Sequence, residues 1–551
     1  MLAPNNVVLT AVPTAKTAPR LLAIEATNRR LLEPAALGCV LLLALFLRFW
    51  GIDKHCFWLD EVYSIQKAAG HCTWTFAPPT NQYISRGFVS TDPFNGTLAD
   101  VFAAMKTDTH PPLYTLVLRY WRQLVGVTDG ATRSLSALCG VMAILLLWYA
   151  VRTLHGSTAA FWAALLMAVA TPQIDYGQEA RSYAMVTMWV AAALAAVARI
   201  VAEGPNWRRE AALVASLFCG IATHYDFVGL WAALMVFGLF QPKPVRSTLW
   251  RCGFVAILLA AVVLGPLLYL QRSTYQADMS WAKERSPAHV ASTLRRAAVV
   301  PLRWFMSPME SSWRWAALFS GVLIFSWAAV RRRPALALWL LGAIFSAGLE
   351  TLIDLTDHLQ TLVEIRYVLA GAVPAYALAA CLLSTQNRWL RHLIPASLVL
   401  GAVICLPQAY EQTRKANWDR LAADAARLGS PDTPLVFYQE DPSRDLFDPI
   451  LQAGITRYSQ LWQHPVVALT TTASPEVLRQ LHQQGRFLLV RNGGIGSVED
   501  FIPGCVATGR EMTTYFVGEV SEYRFEDLRL AQRTPANNRL DFSADTAVRR
   551  R

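Results

Sequence analysis

The sequence predicts a polytopic α-helical membrane protein with about eleven transmembrane helices, followed by a small C-terminal extracytoplasmic α/β domain. Three observations predict it. Of 551 residues, 54% are hydrophobic and only 16% charged, unlike a soluble enzyme. Apolar windows of roughly 17–22 residues recur from residue 35 onward. Beyond residue 408 the composition turns polar, and short strand-like runs replace the long apolar ones.

The first window, 35–50, is apolar except for Arg48 and follows a 1–34 tail carrying Lys16, Arg20, Arg29 and Arg30. That tail is too long for a signal peptide, and no small-residue cleavage site follows, so an uncleaved span is expected. The remaining windows fall at 133–151, 157–173, 183–201, 210–224, 226–241, 252–270, 313–330, 334–352, 366–383 and 391–407. With the N-terminus in the cytoplasm, Arg152, Arg208, Arg209, Lys243, Arg246, Arg251, Arg331 to Arg333, Arg388 and Arg391 all lie in short cytoplasmic turns. Positive charge on that side is the ordinary topological signal. The opposite face then receives the loop 51–132, the loops 174–182, 271–312 and 353–365, the turn at His224, and the chain after about 408.

In the polar part, "TPLVFYQ" and "RFLLVRNGG" read as buried strands, and "SPEVLRQLHQQG" as a helix capped by Ser474. This defines an external α/β domain over 408–530, with a disordered tail at 531–551. The net charge of +11 is scattered at the ends of apolar segments, which argues against nucleic acid as a partner. Most cysteines stand singly in apolar runs, and no metal-type Cys spacing occurs. Asn95 opens an N-G-T sequon, to which no role is assigned.

Four external stretches carry candidate chemistry. "FWLDEVYS" supplies Asp60 and Glu61, "DTHPPLYTLVLRYW" supplies Asp108 and His110, "DYGQEARSYAM" supplies Glu179, Arg181 and Tyr183, and "EIRYVLAGAVP" supplies Glu364, Arg366 and Tyr367. Each has an ordinary structural explanation: an N-cap for Asp60, a proline-led helix entry after His110, and snorkelling interfacial charges for the rest. Their common side of the membrane favours a site. A carboxylate can take a proton from an attacking hydroxyl, and arginines can hold a departing phosphate.

In this order the four stretches resemble the polyprenyl-phosphate-dependent glycosyltransferases of the GT-C fold, specifically the glycosyltransferase family 39-like proteins related to protein O-mannosyltransferases and the lipid A aminoarabinose transferase. The resemblance covers roughly 35–410 and extends to "THYDFVG" around His224 and to "KANWDRLAADA". It implies inverting transfer of a sugar from a polyprenyl monophosphate to a glycan, lipid or protein acceptor at the periplasmic face of a bacterial inner membrane. It further implies Asp60 as catalytic base with Glu61 beside it, and Arg181 and Arg366 as phosphate binders. Asp108, His110, Glu179, Tyr183, His224 and Tyr367 would line the substrate pocket. No organic cofactor is implied; a divalent metal held by Asp60, Asp108, Glu179 and external histidines is the alternative source of positive charge. Cys56 and Cys72 bracket the Asp-Glu pair and could pair as a disulfide in an oxidising compartment. Two other functions fit a multispan chain. A transporter would place its ionisable groups near the midplane in related halves. A scaffold would leave the acids and arginines at the span mouths unexplained.

Overall fold

The computed structural model describes residues 18–71, 80–84, 96–278, 282–283, 286–306, 335–384, 389–410, 418–438, 464–469, 472–491, 498–514 and 518–525. These form two compact units, one of Met1–His55, Tyr63–Thr73 and Thr91–Gln412, the other of Cys56–Val62, Trp74–Ser90 and Thr413–Arg551.

The first unit is helical. In chain order it contains α1 (Ala18–Phe49), most of α2 (Leu59–Ala68), α3 (Leu98–Met105), α4 (Leu113–Val125), α5 (Asp129–His155), α6 (Ser157–Val169) and α7 (Thr171–Asp175). It continues with α8 (Tyr183–Glu203), α9 (Trp207–Thr223), α10 (Val228–Leu239), α11 (Lys243–Asp278), α12 (His289–Arg303), α13 (Leu336–Asp357), α14 (Leu369–Ser384) and α15 (Leu390–Ile404). Among the described residues, six helices are long and apolar enough to cross a membrane, and a seventh span results if Ser157–Val169 and Thr171–Gln178, bent by 63°, are counted together. The chain is a multi-pass membrane protein.

The spans differ from expectation in length. The windows at 210–224, 226–241 and 391–407 fold as α9, α10 and α15, of 17, 12 and 15 residues, too short to meet a full-span criterion. The window at 313–330 lies outside the described residues. Conversely, α1 begins at Ala18, well inside the expected tail, and α11 continues to Asp278, into the expected loop 271–312, where α12 also lies. Hydropathy marks the apolar stretch of a helix, whereas backbone hydrogen bonding carries the helix beyond it. Caps set other boundaries: the Thr128 hydroxyl accepts the Ala131 N–H at the start of α5, and Gly156, at φ +84°, ends α5 and opens α6.

Burial sorts the helices. The Tyr183–Glu203 window is 72% buried, against 22% for Lys243–Thr274, so α8 is central and α11 presents its apolar surface outward. α5 and α8 pack against each other, and both bury alanines: Ala143 and Ala150 on one, Ala191, Ala195 and Ala198 on the other. Small residues let helix backbones approach closely where lipid weakens any hydrophobic drive to associate.

The bend between α6 and α7 rests on Arg48. Its side chain is fully buried, with Nη1 donating to the Ala168 carbonyl at 3.1 Å and Nη2 to the Met167 carbonyl at 3.2 Å. Those carbonyls belong to the last turn of α6, which Pro172 prevents from continuing unbroken. Gly140 and Gly177 leave room for the guanidinium: a Cβ on Gly140 would come within 2.8 Å of Arg48 Nε, and one on Gly177 within 3.3 Å of Arg48 Cγ.

The second unit is built on a six-stranded sheet in the order β1-β3-β2-β4-β6-β5. β2 (Leu435–Tyr438) lies between β3 (Val466–Leu469) and β4 (Arg486–Arg491), parallel to both, while β6 (Gly518–Phe525) and β5 (Cys505–Thr514) continue antiparallel. The near-continuous apolar runs of the central strands fit burial on both faces. The helix expected after Ser474 is Pro475–Gln484; the Ser474 hydroxyl accepts the Val477 N–H at 3.3 Å, and Gly485 closes the helix at φ +73°. Its Val477 and Leu481 pack with Val436, Val467 and Phe487. The sheet also recruits β1 (Tyr83–Ile84), a two-residue strand from the first long loop, antiparallel to β3.

Replacing Arg48 by leucine removes the donors from two buried carbonyls. It is expected to cost roughly 1–3 kcal/mol, with Arg48→Lys intermediate. Thermal unfolding of the purified protein in detergent checks this; an unchanged midpoint for Arg48→Leu would contradict the capping role.

Candidate active site

Helix α2 carries the first pair of acids. Asp60 is half-buried in its first turn, whereas Glu61 is fully buried and its Oε2 accepts the Trp58 backbone N–H at 3.3 Å. Glu61 thus reaches back over the helix start, as the third residue of a capping box does. Of the two acids, Asp60 is the more exposed. Cys56 Sγ lies 3.7 Å from Asp419 Oδ1, and Cys72, the other cysteine bracketing the acids, falls outside the described residues.

Further along α2, Ser64 and Lys67 enter a buried polar network in the first unit. Lys67 Nζ is 2.8 Å from Asp108 Oδ2, and the other Asp108 oxygen faces His110 Nδ1 at 3.1 Å and accepts the Thr109 N–H at 2.7 Å. The carboxylate can only accept, so Nδ1 of His110 carries hydrogen. His110 Nε2 is then a bare lone pair, and Arg181 Nη2 lies 3.4 Å from it. Arg181 Nη1 donates to Ser64 Oγ at 3.2 Å, and the Arg181 carbonyl accepts from Ser136 Oγ at 3.2 Å. The guanidinium is therefore aimed by two side chains and anchored through its own backbone.

The backbone around these groups is fixed from several directions. Gln271 of α11 donates to the carbonyls of Met105 at 2.7 Å and His110 at 3.0 Å, while Tyr225 donates to Gln271 Oε1 at 2.8 Å. The His110 ring meets His224 edge-on at 5.1 Å, and Tyr183 lies 5.7 Å from His224. His224 Nδ1 faces Asp226 Oδ2 at 3.0 Å. The sequence stretches around 108, 181 and 224 thus converge on one place, the turn at His224 included.

Tyr176 stands in the 3₁₀ turn Tyr176–Gln178 just ahead of Glu179, its ring 5.3 Å from that of Tyr183. Arg366 lies in the 3₁₀ turn Ile365–Val368, its guanidinium 5.2 Å from the Tyr367 ring. Glu179 is nearly buried, and its carbonyl accepts the Arg181 N–H at 2.8 Å.

Lys67, Ser64, Asp226 and Gln271 were not singled out from sequence. Lys67 reads as an ordinary last-turn cation on α2. The signal that could have found it is spacing, since Asp60, Ser64 and Lys67 recur at helical intervals. Glu350 and Asp354 are both buried on α13; Glu350 falls inside the apolar window 334–352, and an acid there is itself a functional signal. Among the described residues no group of three or more His, Cys, Asp or Glu side chains is placed to hold a metal ion.

Burial and charge act together here. Burial alone would raise the Asp108 carboxyl, but Lys67 and His110 hold it well below the usual carboxylate range. Burial lowers His110 to about 4, assisted by Arg181 and His224 and opposed by Asp108. At neutral pH the network therefore holds a neutral imidazole between an anion and a guanidinium.

The family described as dolichyl-phosphate-mannose-protein mannosyltransferase matches residues 109–270. That segment contains His110, Glu179, Arg181, Tyr183 and His224. The resemblance read from the four motifs holds. Over 270 residues the chain is 27% identical to an undecaprenyl phosphate-alpha-4-amino-4-deoxy-L-arabinose arabinosyl transferase of Aeromonas salmonicida, covering 46% of this chain and 47% of that protein. The match spans about half the length of that curated relative. Among solved structures, apo ArnT from Cupriavidus metallidurans is similar at a TM-score of 0.49 and 14% identity, covering 91% of this chain and 98% of that one. An apo oligosaccharyltransferase of Archaeoglobus fulgidus is similar at 0.44 and 13% identity, covering 80% and 65%.

The direction of the His110 shift has a testable sign. Between the ordinary value of 6.5 and about 4, the folded protein binds fewer protons than the unfolded chain. The stability from this group is full above pH 6.5 and is lost as pH falls toward 4. Unfolding midpoints measured across that range should fall with pH in the wild type and fall less steeply in His110→Gln; equal slopes would remove His110 from the cause.

Proposed function

We propose that this protein transfers a sugar from a polyprenyl monophosphate to an acceptor on the external face of a bacterial inner membrane, with inversion at the anomeric carbon. The observation that carries the reading is the buried Lys67–Asp108–His110–Arg181 array, which aims a guanidinium through a neutral histidine. The family match, whose residues 109–270 include His110 and Arg181, supports it. The curated relative's undecaprenyl phosphate donor is the donor class proposed here, and the acceptor is a glycan, lipid or protein hydroxyl.

In this mechanism Arg181 and Arg366 hold the phosphate, which leaves as an anion and needs neutralising more than it needs a proton. Lys67 does not compete for it, because Asp108 already holds the ammonium at 2.8 Å. Asp60 takes the proton from the attacking acceptor hydroxyl, and Glu61 holds the start of the helix that carries Asp60. The positive charge is thus supplied by the chain itself, and an exchangeable divalent metal is not required.

Purified protein in lipid, incubated with a panel of radiolabelled polyprenyl-phosphate sugars and membrane extract, should move label from one donor to an extractable acceptor. Asp60→Asn should slow that transfer by about 10²–10⁴ while leaving donor binding intact, the usual scale of general-base help. Wild-type turnover in Asp60→Asn at equal abundance would sink the assignment, and chelator should leave the wild-type rate unchanged.

A further inference from the structure

Asn81 belongs to the part of the loop 51–132 that folds with the second unit. Its backbone stands in the left-handed region, at φ +60°, where among the described non-glycine residues only His358 joins it. Four hydrogen bonds hold it to a stretch far later in the chain. Its N–H donates to the Ala468 carbonyl at 2.7 Å, and its side-chain Nδ2 to the Thr472 carbonyl at 3.0 Å. Its Oδ1 accepts the Ser474 N–H at 2.5 Å, and its own carbonyl accepts the Ser474 hydroxyl at 3.3 Å. That hydroxyl works in both directions, since it also caps the helix Pro475–Gln484 by accepting the Val477 N–H. The receiving stretch is itself fixed, because the Ala473 N–H donates to the Phe501 carbonyl at 2.8 Å. Two residues beyond Asn81, Tyr83 pairs with Val467 and packs against the cluster of Val436, Val467, Val477 and Leu481.

Covering the edge of β3 would by itself require only main-chain pairing. The amide of Asn81 goes further. With its oxygen on an N–H and its nitrogen on a carbonyl, it fits one orientation at the start of one helix. A non-glycine residue at positive φ costs stability and persists where its surroundings fix it, and such positions gather at functional sites. The same unit holds Cys56–Val62, the stretch that carries Asp60. There Phe57 is fully buried, and Cys56 Sγ lies 3.7 Å from Asp419 Oδ1 on the helix Trp418–Leu428, which packs on β5 and β6. The chain is thus tied to the C-terminal domain ahead of Asp60 at Cys56, and beyond it at Asn81 and Tyr83.

We infer that Asn81 is a positioning residue for the transfer: by locking the first external loop to the C-terminal domain, it sets where the Asp60 carboxylate stands. This rests on the transferase reading above and deepens it, because it gives the C-terminal domain a part in the reaction. A base must lie within hydrogen-bonding reach of the proton it takes, so a small displacement of Asp60 slows proton removal. Holding the phosphate is the task of Arg181 and Arg366, and it does not depend on where Asp60 stands.

The test uses the full-length protein in lipid nanodiscs. Asn81→Gly removes the amide and leaves a residue that adopts positive φ freely, whereas Asn81→Asp keeps the acceptor for the Ser474 N–H and loses the donor to Thr472. With labelled polyprenyl-phosphate sugars and membrane extract, Asn81→Gly is expected to lower turnover at saturating donor by about tenfold or more, with Asn81→Asp between it and the wild type. Binding of bare undecaprenyl phosphate should stay within about twofold. Added to Asp60→Asn, the Asn81→Gly change should cause no further loss, because residues that act through one group are not additive. Lipid binding that falls in step with turnover, or an equal further loss in the Asp60→Asn background, would assign Asn81 to general support of the fold. Unchanged turnover in Asn81→Gly would show that Asp60 does not depend on it. Each of these outcomes overturns the inference. If Asn81→Gly does not fold, Asn81→Asp carries the same comparison. Wild-type protein that moves no label from any donor would instead overturn the transferase reading, and this inference with it.

Discussion

Helix ends inside a dry protein interior must find partners for their carbonyls, and this requirement organises the first unit. Arg48 serves the end of α6, and Gln178 serves the end of α1, donating to the Trp50 carbonyl at 2.8 Å. Arg119 donates to the Ala68 carbonyl at 2.9 Å, at the end of α2, and Arg303 to the Leu362 carbonyl at 2.6 Å. Arg133, near the start of α5, holds the Ile52 and His55 carbonyls at 2.9 and 2.6 Å. Each contact joins segments far apart in sequence, so satisfying the backbone also sets the tertiary arrangement.

The candidate site uses the same economy of donors. Arg181 is fixed by Ser64 and by an imidazole whose other nitrogen is held by Asp108, and Asp108 is in turn held by Lys67. A guanidinium restrained in this way loses little freedom when it meets a phosphate. The neutral state of His110 matters for that geometry. A protonated ring would present a second N–H to Arg181 and push the guanidinium away.

Much of this was legible in the sequence because it is local. Apolar runs, the Asp60-Glu61 pair, the "HPPLY" and "QEARSY" stretches and the Ser474 cap each occupy a few consecutive residues. What stayed hidden depends on distant pairing. Nothing local marks Lys67 as the partner of Asp108, or Tyr83 and Ile84 as a strand beside β3. The boundaries of α1 and α11 were underestimated for a related reason: charged and polar residues end a hydropathy window without ending a helix.

Arg48 also bears on how the chain is made. Its carbonyl acceptors on α6 lie about 120 residues later in sequence, so the first span leaves the ribosome with its guanidinium unserved. Its place near the end of α1 lets the side chain reach the interface in the meantime. Docking of α6 then draws the charge inward, which makes the final seating of the first span a late event in biogenesis, dependent on a segment synthesised well after it.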